Sequence, residues 1–169
     1  PQWYDHPVER CELIETHISW VILTGPYAYK VKKPVNLGFL DFSTLEKRRF
    51  YCQEELRLNR RLAPTIYLSV VAITGSAGQP VLGGEGEALE YAVKMVQFPQ
   101  AAQLDRMLAQ GALKPEHMDA FARLIADFHR HAAVAAASDP YGEPAMVWQP
   151  MGENFVQIRE RIAAVSYTH

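Results

Sequence analysis

The stretch "YAYKVKKPV", residues 27–35, follows a Gly25-Pro26 turn and places three lysines in what otherwise reads as a buried strand. Side chains alternate along a strand, so Lys30 and Lys32 share one face with Ala28, and the tyrosines share the other. A buried ammonium group is costly unless an anion meets it. Either this is an edge strand whose lysines lie in water and discourage edge pairing, or one lysine is directed at a phosphate.

The composition indicates one ordinary globular core with room for a small second lobe, since 49% of the 169 residues are hydrophobic and 21% are charged. A net charge of -2 provides no overall basic field for nucleic acid. No apolar run approaches the roughly 20 residues that span a bilayer, so we expect no membrane partner. Cys11 and Cys52 are too few for a disulfide framework or a zinc site, and we expect a reducing cytoplasm.

Five strands are predicted from runs of β-branched and aromatic residues. "CELIET" (11–16) and "WVILTG" (20–25) precede the lysine strand and form an antiparallel meander with it. "IYLSVVAIT" (66–74) and "LEYAVKMVQF" (89–98) form a hairpin over 66–98. The glycine-rich segment 75–88 between them is interpreted as a long, mobile connection.

One long helix is predicted over about 44–62. Ser43 can cap its first turn and Glu46 can reach back, the pattern of a capping box, while Ala63-Pro64 disfavours continuation. From residue 101 the composition shifts to Ala, Leu and Met, with one helix ending at Gly111 and another beginning at Pro115.

A lobe boundary is expected near Phe98-Pro99-Gln100, which divides a small lobe over 1–98 from a helical region over 99–169. The chain begins at Pro1 without Met, and both ends look cut. We therefore expect a fragment in which the second lobe is truncated.

The order of these elements is that of a kinase small lobe. Kinases use an Ala-x-Lys strand in which the small residue leaves room for adenine and the lysine reaches the α- and β-phosphates, oriented by a Glu from the next helix. Ala28 and Lys30 supply the strand pattern, and Glu55 lies on the apolar face of the predicted helix. The alternative is that Lys30 and Glu55 are ordinary surface charges.

The sequence also resembles a known family. The similar segments are "ETHISWVILTG" (15–25), "AYKVKKPV" (28–35), "GFLDFSTLEKRRFYCQEELRLNRRLAP" (38–64) and "EYAVKMVQFP" (90–99). They resemble the N-terminal part of the aminoglycoside phosphotransferase-like, kinase-fold domain that bacteria often fuse to a P-loop ATPase domain. The resemblance covers about residues 5–160, and 38–64 is its most distinctive block.

The resemblance implies an α+β, protein kinase-like small lobe of five antiparallel strands and one long helix, followed by the first helices of the large lobe. It implies ATP with Mg²⁺, Lys30 on the phosphates with Glu55 as its partner, and a loop over the phosphates at 16–19. That loop contains no glycine, so the hydroxyls of Thr16 and Ser19 would have to act as donors. The adenine would be read by backbone groups around Gln97.

The loop has an equally simple alternative interpretation, a polar strand turn with His17 in solvent. Three short matches elsewhere are not taken as sites. Asp41-Phe42-Ser43 precedes the helix instead of following a catalytic loop, and His117-Met118-Asp119 lacks the Asn that a kinase loop needs. Asp127 and His131 share a helix face without a third zinc ligand.

No catalytic residue and no metal ligand is assigned within these residues. The resemblance implies that a His-Gly-Asp type loop and a metal-binding Asp lie beyond His169. The expected function is the ATP-binding half of a phosphotransferase acting on a small-molecule hydroxyl. The alternative is a non-catalytic kinase-fold module that senses nucleotide or docks on a P-loop ATPase. Nucleic-acid binding through the arginines of 47–61 ranks last.

Overall fold

Six antiparallel strands form one sheet in the computed structural model, which describes residues 3–166. The strands are β1 (Glu12–Glu15), β2 (Ser19–Leu23), β3 (Tyr27–Lys32), β4 (Tyr67–Ser76), β5 (Gln79–Leu82) and β6 (Glu90–Val96). Their order across the sheet is β1-β2-β3-β6-β4-β5. Because β3 pairs with β2 on one side and β6 on the other, the lysine strand is internal, and the edge-strand interpretation is wrong.

The prediction of five strands is corrected to six, because β5 lies inside the segment expected to be a mobile connection. Among the described strands, β5 pairs with β4 alone, so Pro80, which has no N–H to donate, is tolerated on this edge strand. Gly75 has a φ of +85°, and a Cβ there would lie 2.4 Å from the Gln79 carbonyl oxygen. Glycine is thus required for the tight β4–β5 turn, although by composition it indicates a loop.

Helix α1 spans Leu45–Asn59 and packs against β4 and β6. Its N-cap is Thr44, whose hydroxyl accepts a hydrogen bond from the Lys47 amide, so the predicted cap at Ser43 is wrong by one residue. The reason is a competing acceptor, since Asp41 Oδ1 accepts from both the amide and the hydroxyl of Ser43, at 2.9 and 2.6 Å.

The remaining helices are a 3₁₀ turn over Gln100–Ala102, α2 (Leu104–Ala109), α3 (Pro115–His131) and α4 (Pro144–Ser166). The chain divides into two compact units, one ending at Phe128 and the other beginning at His129. The expected join near Phe98 falls inside the first unit and stays a prediction. Within the described residues, no helix is both long and apolar enough to cross a membrane.

The sheet has two unlike faces, which alternate along β3. The aromatic face carries Tyr27, Tyr29 and Val31 of β3 and Lys94 of β6, and it forms the main apolar cluster. The helix face carries Ala28, Lys30 and Lys32 of β3 with Ser19 and Val21 opposite them on β2, and α1 packs on this side. The site described next lies on the helix face.

Candidate functional site

A three-residue ionic cluster joins β3 to α1. Glu55 of α1 accepts a hydrogen bond from Lys30 Nζ on its Oε1 at 2.8 Å, and from Lys32 Nζ on its Oε2 at 2.7 Å. The two lysines reach the same carboxylate because residues two apart on a strand project from the same face. The predicted approach of Lys30 to Glu55 is therefore present in the structure. The second contact, from Lys32, was not predicted, although its position on the same face was.

The cluster carries a surplus positive charge, since two ammonium groups share one carboxylate. The Lys32 side chain is 5% exposed and that of Glu55 is 12% exposed, whereas Lys30 is 29% exposed. Lys32 also lies 4.8 Å from the centre of the buried Phe42 ring. Lys30 is thus the member of the cluster that is available to an incoming group.

The ionised state of Glu55 is maintained by its two partners. Burial by itself raises the pKa of this carboxyl, but the hydrogen bonds and charges of Lys30 and Lys32 outweigh burial and hold the pKa below its ordinary value. Glu55 is therefore a carboxylate at neutral pH, and the cluster has a net charge of about +1.

A pocket of about 560 Å³ opens beside Lys30, a volume typical of small-molecule sites. Five of the six predicted site residues line it, namely Thr16, Ser19, Ala28, Lys30 and Gln97, while Glu55 is absent from the lining and contacts the site through Lys30. The other lining residues are largely apolar and include Leu23, Met95 and Phe98. One cationic group therefore faces a mainly apolar pocket.

The loop over the pocket is closed by its own hydroxyl group. Thr16 Oγ1 donates to the Ser19 carbonyl and accepts from the Ser19 amide, both at 3.0 Å. The one hydrogen of the Thr16 hydroxyl is used within the loop. The donor role expected for Thr16 is thus replaced by a structural one.

Ser19 is different, because its side chain is buried without a partner. The residue is 0% exposed, and its hydroxyl oxygen is buried and makes no hydrogen bond. A buried unsatisfied polar group costs about 1–3 kcal/mol. Since Ser19 lines the pocket, a ligand that bonds to this hydroxyl would recover that cost.

Gln97 ties the end of β6 to the turn that precedes β3. Its amide donates to the Pro26 carbonyl at 3.0 Å, and its side-chain Oε1 accepts from the Gly25 amide at 3.0 Å. The Gln97 N–H is therefore not available to a ligand. This role of the side chain was not predicted.

The described residues include no group of three or more His, Cys, Asp and Glu side chains placed to hold a metal ion. The lining of the pocket contains no acidic side chain among the same residues. Among the described residues that line the pocket, Lys30 is the cationic side chain, and Ser19 has a hydroxyl that makes no hydrogen bond.

Comparison with known proteins gives relatives without an assigned activity. No family model matches the chain, and no solved structure matches it. The chain is similar to uncharacterized proteins of Mycobacterium bovis and of two strains of Mycobacterium tuberculosis, each 34% identical over 157 residues. The similarity covers 91% of this chain and 30% of each relative, so the chain spans less than a third of the length of the curated relatives it matches.

Proposed function

We propose that this chain is a kinase-like small lobe that binds ATP in the pocket beside Lys30. In the intact protein it would serve a phosphotransferase that acts on a hydroxyl group of a small molecule. The observation that carries the proposal is the ionic cluster, whose surplus charge is directed through Lys30 into an apolar pocket of suitable volume. A buried cation in excess of its counter-ions favours an anionic ligand.

The phosphates would occupy the Lys30 end of the pocket. Lys30 can donate to a phosphate oxygen while Glu55 retains its contact, because an ammonium group has three donors. The Ser19 hydroxyl, buried and unpaired, is the second donor at this end. Both groups lie on the helix face, where Ser19 pairs with Lys32 and Val21 pairs with Lys30 across β2 and β3.

The base would occupy the other end, between Ala28 and the end of β6. Ala28 and Met95 are cross-strand neighbours on the pocket face, and the small side chain of Ala28 leaves room for a ring system. The Gln97 amide is already used by Pro26, so the backbone groups proposed to read the base are the Gln97 carbonyl and the Phe98 amide.

The chemical step requires groups that the described residues do not place at the pocket. Phosphoryl transfer needs a residue to orient the acceptor hydroxyl and carboxylate or amide ligands for Mg²⁺. We assign these to residues outside this chain. The acceptor molecule and any associated P-loop ATPase domain belong to the same proposal, as does a cytoplasmic location.

Calorimetric titration of the chain with ATP in the presence of Mg²⁺ tests the proposal. Lys30→Met removes a charge-assisted hydrogen bond worth about 1.5–3 kcal/mol, so ATP affinity should fall roughly 10- to 100-fold. Lys33→Met is the matched control, because Lys33 directly follows β3 but pairs with the exposed Glu15. Equal ATP affinity in the wild type and the Lys30→Met variant would refute the assignment.

A second candidate function is favoured by the loop over the pocket. The loop has no glycine, and its Thr16 hydroxyl is used internally, so it provides fewer donors to phosphates than a glycine-rich kinase loop. A kinase-fold module that binds nucleotide without turnover, docked on an ATPase domain, would fit this loop. The intact protein separates the two functions, because only a phosphotransferase transfers the γ-phosphoryl group of ATP to the acceptor hydroxyl, whereas an ATPase domain releases it as inorganic phosphate.

A further inference from the structure

We propose that Lys32 is a positioning residue that neutralises Glu55, so that the positive charge of Lys30 is left for the phosphates of the ligand. This inference rests on the proposed ATP site. It assigns to Lys32, a residue outside the pocket, the preference of the pocket for a charged ligand. Lys32 does not line the pocket. It acts through Glu55.

The geometry divides the carboxylate between the two lysines. Lys30 takes Oε1 at 2.8 Å and Lys32 takes Oε2 at 2.7 Å, so neither lysine excludes the other. Lys32 is fixed in this position by burial, since its side chain is 5% exposed and its ammonium group lies over the Phe42 ring. A buried lysine that is held on one oxygen keeps the other oxygen directed at Lys30.

The other charged and titratable groups around Glu55 do not replace Lys32. Arg48, on the same helix, donates to Glu90 at 2.8 Å and to the Phe42 carbonyl at 3.0 Å. Cys52 on α1 is a buried thiol, and burial raises its pKa to about 11, so it is neutral at pH 7. Tyr67 on β4 is neutral as well, because burial raises its pKa above the ordinary value. Lys32 and Lys30 are thus the cations that face Glu55 among the described residues.

The charge balance gives the functional consequence. With Lys32 present, the cluster has two cations and one anion, and Lys30 can engage a phosphate without leaving Glu55 unpaired. Without Lys32, Lys30 and Glu55 form a neutral pair, and a phosphate must compete with Glu55 for the same ammonium group. The loss should therefore affect ligands in proportion to their charge.

The first experiment compares ATP with adenosine in calorimetric titrations of the chain. Lys32→Met, which keeps the length of an apolar stem, should weaken ATP binding about tenfold, equivalent to roughly 1.4 kcal/mol, and leave adenosine binding unchanged. Lys32→Arg keeps the charge and should restore ATP affinity. A purely structural role for Lys32 would weaken both ligands equally, and that result, or no effect on either ligand, would overturn the proposal.

The second experiment needs no nucleotide. The Glu55 carboxyl is titrated by carbon NMR in the wild type, Lys30→Met and Lys32→Met. In Lys30→Met, which leaves Lys32 in place, the Glu55 pKa should stay below its ordinary value, and in Lys32→Met it should rise above that of the wild type. An unchanged Glu55 titration in Lys32→Met, or an ordinary or higher pKa in Lys30→Met, would overturn the proposal.

The two experiments separate the two claims. If the wild type binds neither ATP nor adenosine, the proposed function fails, while the Glu55 titration still decides whether Lys32 holds this carboxylate. Circular dichroism of each variant shows that it is folded. If Lys32→Met does not fold, the Glu55 titration in Lys30→Met still shows whether Lys32 alone keeps the Glu55 pKa below its ordinary value.

Discussion

The two faces of β3 bury different chemistry within the same six residues. On the aromatic face, Tyr29 is 2% exposed and packs with its ring centre 5.6 Å from that of Tyr4, while Lys94 lies 4.1 Å above the Tyr27 ring. The carboxylate that pairs with Lys94 is Asp5, which is 65% exposed. On the helix face, the carboxylate itself is buried, and two lysines share it.

The difference separates packing from function. The aromatic face is typical of a protein core, because the Tyr29 ring is buried and the carboxylate of Asp5 lies in water. The helix face takes Glu55 and Lys32 largely out of water and leaves Lys30 partly exposed. Buried ion pairs are a weak source of stability, because desolvation offsets much of the attraction. An arrangement that packing does not require, placed beside a pocket, favours a ligand site.

Removing the buried carboxylate should have the largest effect on stability. Glu55→Ala leaves Lys30 and Lys32 without their counter-ion, and breaking a buried pair in this way costs about 3–5 kcal/mol in the free energy of unfolding. Urea unfolding measures it. Glu54→Ala, on the same helix, removes a carboxylate that pairs with the exposed Arg57 and should cost at most about 1 kcal/mol. Equal losses in the two variants would remove the distinction between this cluster and a surface pair.

Truncation on the aromatic face should reduce stability but not ligand binding. Tyr29→Ala opens a cavity in the main apolar cluster and should cost about 3 kcal/mol, the lower end for an aromatic residue, since Tyr4 and His6 pack against it and can shift. The folded variant should bind ATP as the wild type does. A loss of affinity as large as that of Lys30→Met would show that the two faces are not separate.

The Asp5 carboxylate should make the aromatic face sensitive to acid. Hydrogen bonds from Lys94 and His6 lower the Asp5 pKa from 3.8 to about 2. Because this pKa is lower in the folded chain, the stabilisation is fully present above about pH 4 and is lost as the pH falls towards 2. The wild type should therefore have a higher Tm than Asp5→Asn at pH 5, and the two Tm values should converge near pH 2. A difference that persists at pH 2 would contradict the assignment.

The smallest expected effect is a difference in chemical reactivity between the two thiols, Cys11 and Cys52. Cys52 lies on the buried side of α1 and is fully buried, and burial raises its pKa to about 11, so little thiolate forms at pH 8. Cys11 is exposed. Mass spectrometry after iodoacetamide treatment should find one modified thiol in the native chain and two in urea. Equal reaction rates of Cys11 and Cys52 in the native chain would show that α1 does not stay docked on the helix face.

Local patterns in the sequence were sufficient for part of the site. The alternation of β3 placed Ala28 and Lys30 on one face, and helical spacing favoured Glu55 over Glu54. These rules fix which side chains share a face. The sharing of Glu55 by Lys32 depends on how α1 crosses the sheet, and no local pattern specifies that crossing.

The features that were missed depend on competition or on distant partners. β5 was not predicted because the glycines of the 75–88 segment, which permit tight turns, are also typical of loops. The N-cap fell on Thr44 because Asp41 had already engaged Ser43. The packing of Tyr4 on the aromatic face joins residues 25 apart in the chain, which periodicity does not report.

Chemical-shift mapping of the nitrogen-15-labelled chain with ATP and Mg²⁺ tests the central claim most directly, because it compares both faces in one spectrum. The amides of Ser19, Ala28 and Phe98 should shift on titration, while those of Tyr4 and Asp5 should not. At an ATP concentration near the wild-type Kd, the pocket-face shifts should be much smaller in Lys30→Met. Shifts centred on the aromatic face, or no shifts at millimolar ATP, would contradict a nucleotide site beside Lys30.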